Sequence, residues 1–105
     1  MSGPRSEETK ISAARNYLKM NFPDCTISDR HDTDTISELF TIENPARRLV
    51  YRVRMSREFL DDNSSEQIQQ ELERWETAEA ARRSKGSLVV VTNAGVAVVV
   101  EEPTK

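Results

Sequence analysis

Between Asn21 and Thr26 the hydrophobic period of this chain changes from that of a helix to that of a strand, and Pro23 stands at the change. Before it, Ile11, Ala14, Leu18 and Phe22 recur at helical spacing, with Tyr17 beside them. Ser6 is placed to cap this helix. Glu7 and Glu8 fill its first turn, where the helix dipole favours acids. Proline pushes the residue before it out of the α region, so the helix ends near Phe22.

After Pro23 the side chains alternate as far as Met55. Cys25 and Ile27 alternate with Thr26, Ser28 and Arg30. Ile36, Phe40 and Ile42 alternate with Ser37, Leu39 and Thr41, and Leu49, Tyr51, Val53 and Met55 with Arg48, Val50, Arg52 and Arg54. The turn-rich stretches His31 to Thr35 and Asn44-Pro45-Ala46 separate three strands. Pairing Glu43 with Arg48 sets Ile42 opposite Leu49, Phe40 opposite Tyr51 and Ile36 opposite Met55. A slip of one residue would turn those apolar side chains to the wrong face. Glu38 alone breaks the inward apolar pattern.

Ser56 begins a short turn through Phe59 and Leu60. Ser64 and Gln67 form a capping-box pattern. Ile68, Leu72, Trp75 and Ala78 make one apolar stripe, which predicts a single helix near 65–85. Arg82, Arg83 and Lys85 suit its negative end, and Gly86 its C′ position. Leu88 to Thr92 and Val96 to Glu101 are two more strands, joined around Asn93-Ala94-Gly95 with glycine at the left-handed position.

The expected fold is therefore an α+β two-layer sandwich in the order α-β-β-β-α-β-β, with two helices packed on one face of a five-stranded, mainly antiparallel sheet. The 105 residues suffice for one domain. It is expected over 6–102, with disordered tails at 1–5 and 103–105.

Composition narrows the function classes. A net charge of -3 gives no global attraction to nucleic acid or anionic membranes. Cys25 is the sole cysteine, so no intrachain disulfide forms. The first ten residues are unlike a signal peptide, and Val96 to Val100 is too short to span a bilayer. A cytoplasmic protein without membrane association is expected.

The last hairpin is apolar on both faces, whereas an antiparallel sheet covered on one side should alternate. One row, Val89 and Val91 with Ala97 and Val99, is expected to need cover from a second copy or a partner protein. Arg48, Arg52 and Arg54, with Arg30, form a basic row on the opposite face of the third strand from its apolar residues. Leu39 and Val50 share that outer face. Guanidinium groups there suit phosphates or carboxylates, but Phe40 and Tyr51 face away, so no base-stacking platform accompanies them. Asp29, His31 and Glu38 converge on the core side of the first hairpin, yet their spacing matches no established metal motif, and none is expected. Cys25 and His31 lie about 20 Å apart on one strand at roughly 3.3 Å per residue, too far for a nucleophile and its base. The three glycines are isolated, so no phosphate-cradling loop exists.

In element order alone, the first five elements resemble those of double-stranded-RNA-binding domains. The segment Ser64-Ser65-Glu66-Gln67-Ile68-Gln69-Gln70-Glu71 is acidic and polar where those domains carry a phosphate-gripping lysine cluster. All seven elements resemble in order the dimeric, acidic chaperones of type III secretion, which bind effector segments without catalysis, although their final helix has no counterpart here. The expectation is a non-catalytic protein-interaction domain without cofactor, homodimeric or partner-bound through its sheet. The alternative is a nucleic-acid-associated protein acting through the arginine row.

Overall fold

A computed structural model describes residues 6–99. The expected tails at 1–5 and 103–105, the Ser6 side chain and the end of the last strand lie outside the described residues. The elements are α1 (Ser6–Asn21), β1 (Thr26–Asp32), β2 (Ser37–Glu43), β3 (Leu49–Ser56), α2 (Arg57–Asp62), α3 (Ser65–Arg74), α4 (Thr77–Ser84), β4 (Leu88–Thr92) and β5 (Gly95–Val99). The fold is mixed α/β, with a five-stranded sheet ordered β1-β2-β3-β4-β5. β1–β2, β2–β3 and β4–β5 pair antiparallel, and β3–β4 pair in parallel. That parallel pair requires a crossover, which the stretch from α2 to α4 supplies.

Local chemistry accounts for most boundaries. The Ser56 hydroxyl accepts from the Phe59 amide at 3.1 Å and starts α2. The Ser64–Gln67 box is closed in both directions, at 3.2 Å and 2.9 Å, and starts α3. Gly95, at φ 126, supplies the positive φ of the last hairpin.

Two expectations are corrected. The stretch 65–85 is two helices: Trp75 leaves the helix and Glu76 adopts a left-handed conformation at φ 53. A non-glycine residue there costs of order 1 kcal/mol, so the surroundings must enforce it. Trp75 packs on Phe59 with ring centroids 5.7 Å apart. The Tyr17 hydroxyl of α1 accepts from the Ala78 amide at 2.9 Å, capping α4 from another helix where Glu76 makes no side-chain cap. The turn sets Ala78, Ala80 and Ala81 into the core.

The second correction is to the β2–β3 register. Ile42 pairs with Tyr51, Phe40 with Val53 and Glu38 with Met55, a displacement of two residues. Its causes are a wider turn, with Arg47 at φ 64, and a bulge between Ile42 and Glu43. A displacement of two preserves the faces, so Phe40, Ile42, Tyr51, Val53 and Met55 stay on one side. Ile36 does not join them. It sits in the β1–β2 turn at φ 50 and is 64% exposed.

Phe40, Ile42, Val53, Met55, Val89 and Val91 are wholly buried in one cluster with Ala14, Leu18, Phe59, Ile68, Leu72 and Ala81 from the helices. This defines the inner face of the sheet. α4 lies against β3, β4 and β5, and α1 against β1 and α3.

Candidate functional site

Pairing across the sheet lays out the other, outer face row by row. One row runs Arg30, Leu39, Arg54, Val90, Ala97, and the next runs Ser28, Thr41, Arg52, Leu88, Val99. The face is therefore basic and polar over β1–β3 and apolar over β4–β5. Leu39 and Leu88 are buried within it, Val90 is half-buried, and Ala97 and Val99 are exposed. Arg54 is half-buried, with a terminal nitrogen 3.9 Å from an Asp32 carboxylate oxygen. Its Nε is buried without a partner among the described residues. Arg30 is exposed.

This layout redistributes the residues expected to bind. Val89 and Val91 do not stand with Ala97 and Val99: they pair with Val98 and Val96 on the inner face and are wholly buried. The valines needing cover on that side get it from the helices. Val50, freed from pairing by the bulge, packs against the core cluster. Arg48 lies in the exposed turn before β3, its amide bonded to the Asn44 side chain at 3.0 Å. Arg52, Arg54 and Leu39 share the outer face as expected, and so do Ala97 and Val99.

β5 is a sheet edge, and its Ala97, Val98 and Val99 are exposed, covering both faces of the strand. Edge strands present unpaired backbone donors and acceptors, and natural edges are commonly guarded by charge, proline or a bulge. The described part of β5, Gly-Val-Ala-Val-Val, carries none of these.

A second constellation lies at the opposite end of the inner face. His31 pairs with Glu38 and Asp29 with Phe40, which points all three polar side chains inward. His31 Nδ1 lies 3.5 Å from Glu38 Oε1. Arg15 of α1 donates to Asp29, its Nε at 3.0 Å. Burial holds the Glu38 carboxyl above its ordinary range, reinforced by a hydrogen bond with Asp29 and that carboxylate's charge, while His31 pulls the other way. Glu38 is thus a buried acid bonded to its neighbours rather than an isolated misfit. Among the described residues no group of three or more His, Cys, Asp or Glu side chains is arranged to hold a metal ion. Cys25, just before β1, and His31, near its far end, stay apart.

Sequence reasoning missed Arg15 and Tyr17 as linking residues. Arg15 sits on the fringe of the α1 stripe, and no spacing signal ties either to its distant partner. Burial also pushes the Tyr17 hydroxyl up, opposed by its bond from Ala78. An open groove of about 680 Å³ runs past Tyr17, Glu73, Glu79 and Arg82. Two of its charges are engaged with each other: Arg82 pairs with Glu79 at 2.8 Å, and Arg82 also stacks over Phe22 at 4.8 Å.

No family model, no curated protein and no solved structure matches this chain. Among the described residues the element order α-β-β-β-α-α-α-β-β departs from the seven-element order behind the resemblance to the secretion chaperones, while its first five elements keep the order α-β-β-β-α. Among the described residues no helix is long and apolar enough to cross a membrane.

Proposed function

We propose that this chain is a non-catalytic protein-interaction domain, a two-layer sandwich with one open face, that self-associates by antiparallel pairing of β5 with β5 of a second copy. The exposed valine edge of the sheet, whose described residues Gly95–Val99 carry no charge, proline or bulge, supports the reading. Pairing there would continue the sheet, satisfy the edge backbone and bring each Val98 against its counterpart. It also keeps the arginines of β1–β3 at the far ends of the assembly. Stacking two outer faces about an axis across the strands would instead set arginine over arginine.

Light scattering on a size-exclusion column, at low and at high salt, tests this. A dimer is expected at both salts, because the contact is apolar and backbone-bonded rather than ionic. Val98→Lys should make the chain monomeric by placing a charge in the pairing edge. A wild-type chain that stays monomeric at high concentration would sink the reading.

A further inference from the structure

Parallel strands are as a rule covered by helices on both faces, and they read as continuous apolar runs. β3 and β4 form the one parallel pair among the described strands, and of the two β4, with Leu88-Val89-Val90-Val91, is such a run, while β3 alternates. Their inner face is covered by α2 and α4. Their outer face changes character across one pairing row, from Arg30 and Arg54 to Val90 and Ala97. With strands about 4.8 Å apart, Arg30 to Arg54 spans roughly 10 Å, and so does Arg54 to Ala97. A helix is roughly 10 Å wide, so one lying along the β3–β4 seam would meet arginine on one flank and valine on the other.

We propose that the outer face over β3 and β4 docks an amphipathic helix of a partner protein, acidic along one flank and apolar along the adjoining one. Its carboxylates would meet the exposed Arg30 as charge-assisted, forked hydrogen bonds and reach Arg54 at its terminal nitrogens, one of which lies 3.9 Å from Asp32. Its apolar flank would cover Val90, Ala97 and Val99. This chain's own α3 and α4 do not suit, because their apolar residues Ile68, Leu72, Ala78 and Ala81 are already in the core. Nucleic acid fits less well: Phe40, Tyr51 and Trp75 belong to the inner side or the helices, so no ring is presented for base stacking. The valine half offers nothing to phosphates. The site goes beyond self-association and does not require it.

The test is amide NMR on the isotope-labelled full chain. It would be titrated with a synthetic helical peptide bearing Glu along one flank and Leu along the next. The same peptide with Lys for Glu, and an oligothymidylate, serve as rival probes. The acidic peptide should shift the amides of Arg30, Arg54, Val90 and Ala97. Its affinity should fall about tenfold in Arg30→Glu/Arg54→Glu, and also fall with added salt. Arg30→Glu alone, on an exposed edge position, keeps the test readable if the double variant folds poorly. No shift on this face, equal binding of the Lys peptide, or oligothymidylate binding at these arginines in place of the peptide would overturn the proposal. Repeating the titration on Val98→Lys separates the two readings. Binding retained there supports the docking face whatever the mass of the wild type, and binding lost there counts against it.

Discussion

In the β1–β2 hairpin the inner face carries Ile27, Asp29, His31, Glu38, Phe40 and Ile42; in the β4–β5 hairpin it carries Val89, Val91, Val96 and Val98. The first edge is closed by named partners. Arg15 reaches from α1 to Asp29, Asp29 bonds to Glu38, and Glu38 faces His31. Each group depends on the next, because an unpaired buried carboxylate is costly. The second edge depends on apolar area, and that cover runs out across the hairpin from β4 to β5. Val89 and Val91 are wholly buried, Val96 is half-buried and Val98 is 42% exposed. A polar edge specifies its neighbour. An apolar edge accepts any surface of suitable shape, including a second copy of itself.

The sharpest way to break this contrast is to place the same charge on the two faces of the β4–β5 hairpin. Val91→Asp buries an unpaired carboxylate in the core and should cost about 4 kcal/mol or more, enough to unfold a marginal domain. Val99→Asp, on the outer face, should change stability by no more than roughly 0.5 kcal/mol. Urea midpoints of the two variants decide it, and similar midpoints would mean that the face assignment is wrong.

A smaller effect is expected in the layer beneath that hairpin. Tyr17→Phe removes the acceptor of the Ala78 amide and should cost about 1 kcal/mol, like loss of an ordinary N-cap. Amide exchange at Ala78 should quicken with it. A variant as stable as wild type would mean that packing alone starts α4.

The subtlest effect lies at the β1–β2 edge. Glu38 has its carboxyl pKa raised in the folded chain, so it binds its proton more tightly there than in the unfolded chain. Its favourable contribution is therefore complete below the unfolded value and declines as pH rises through the folded value. Glu38→Gln keeps the hydrogen-bonding shape without the titration. The melting temperature of the variant should fall less than that of wild type between mildly acidic and neutral pH. Parallel curves for the two proteins would remove Glu38 as the source of the dependence.

Much of the secondary structure was legible because it is written in short-range chemistry. Pro23 and the change of period separate α1 from the strands, and Ser56 and the Ser64–Gln67 box start α2 and α3 where their hydroxyls and amides meet. Faces were legible where alternation was clean, as in Phe40, Ile42, Val53 and Met55. They were illegible in β4 and β5, because a run of valines has no period from which to choose a side. The register of β2–β3 was misread by two residues, since neither the width of the Asn44–Arg48 turn nor the bulge beside Glu43 follows from alternation.

Sequence by itself determined α1, the five strands, the starts of α2 and α3, and the inward placement of Asp29, His31 and Glu38, because caps, prolines and periodicity act over a few residues. Tertiary structure alone decided three things: the break at Glu76, the arginine that holds Asp29 beside Glu38, and which valines are core and which are surface. Each depends on a group far along the chain, Tyr17 for Ala78, Arg15 for Asp29 and the helices for Val89 and Val91, and contacts between distant residues leave no local pattern to read.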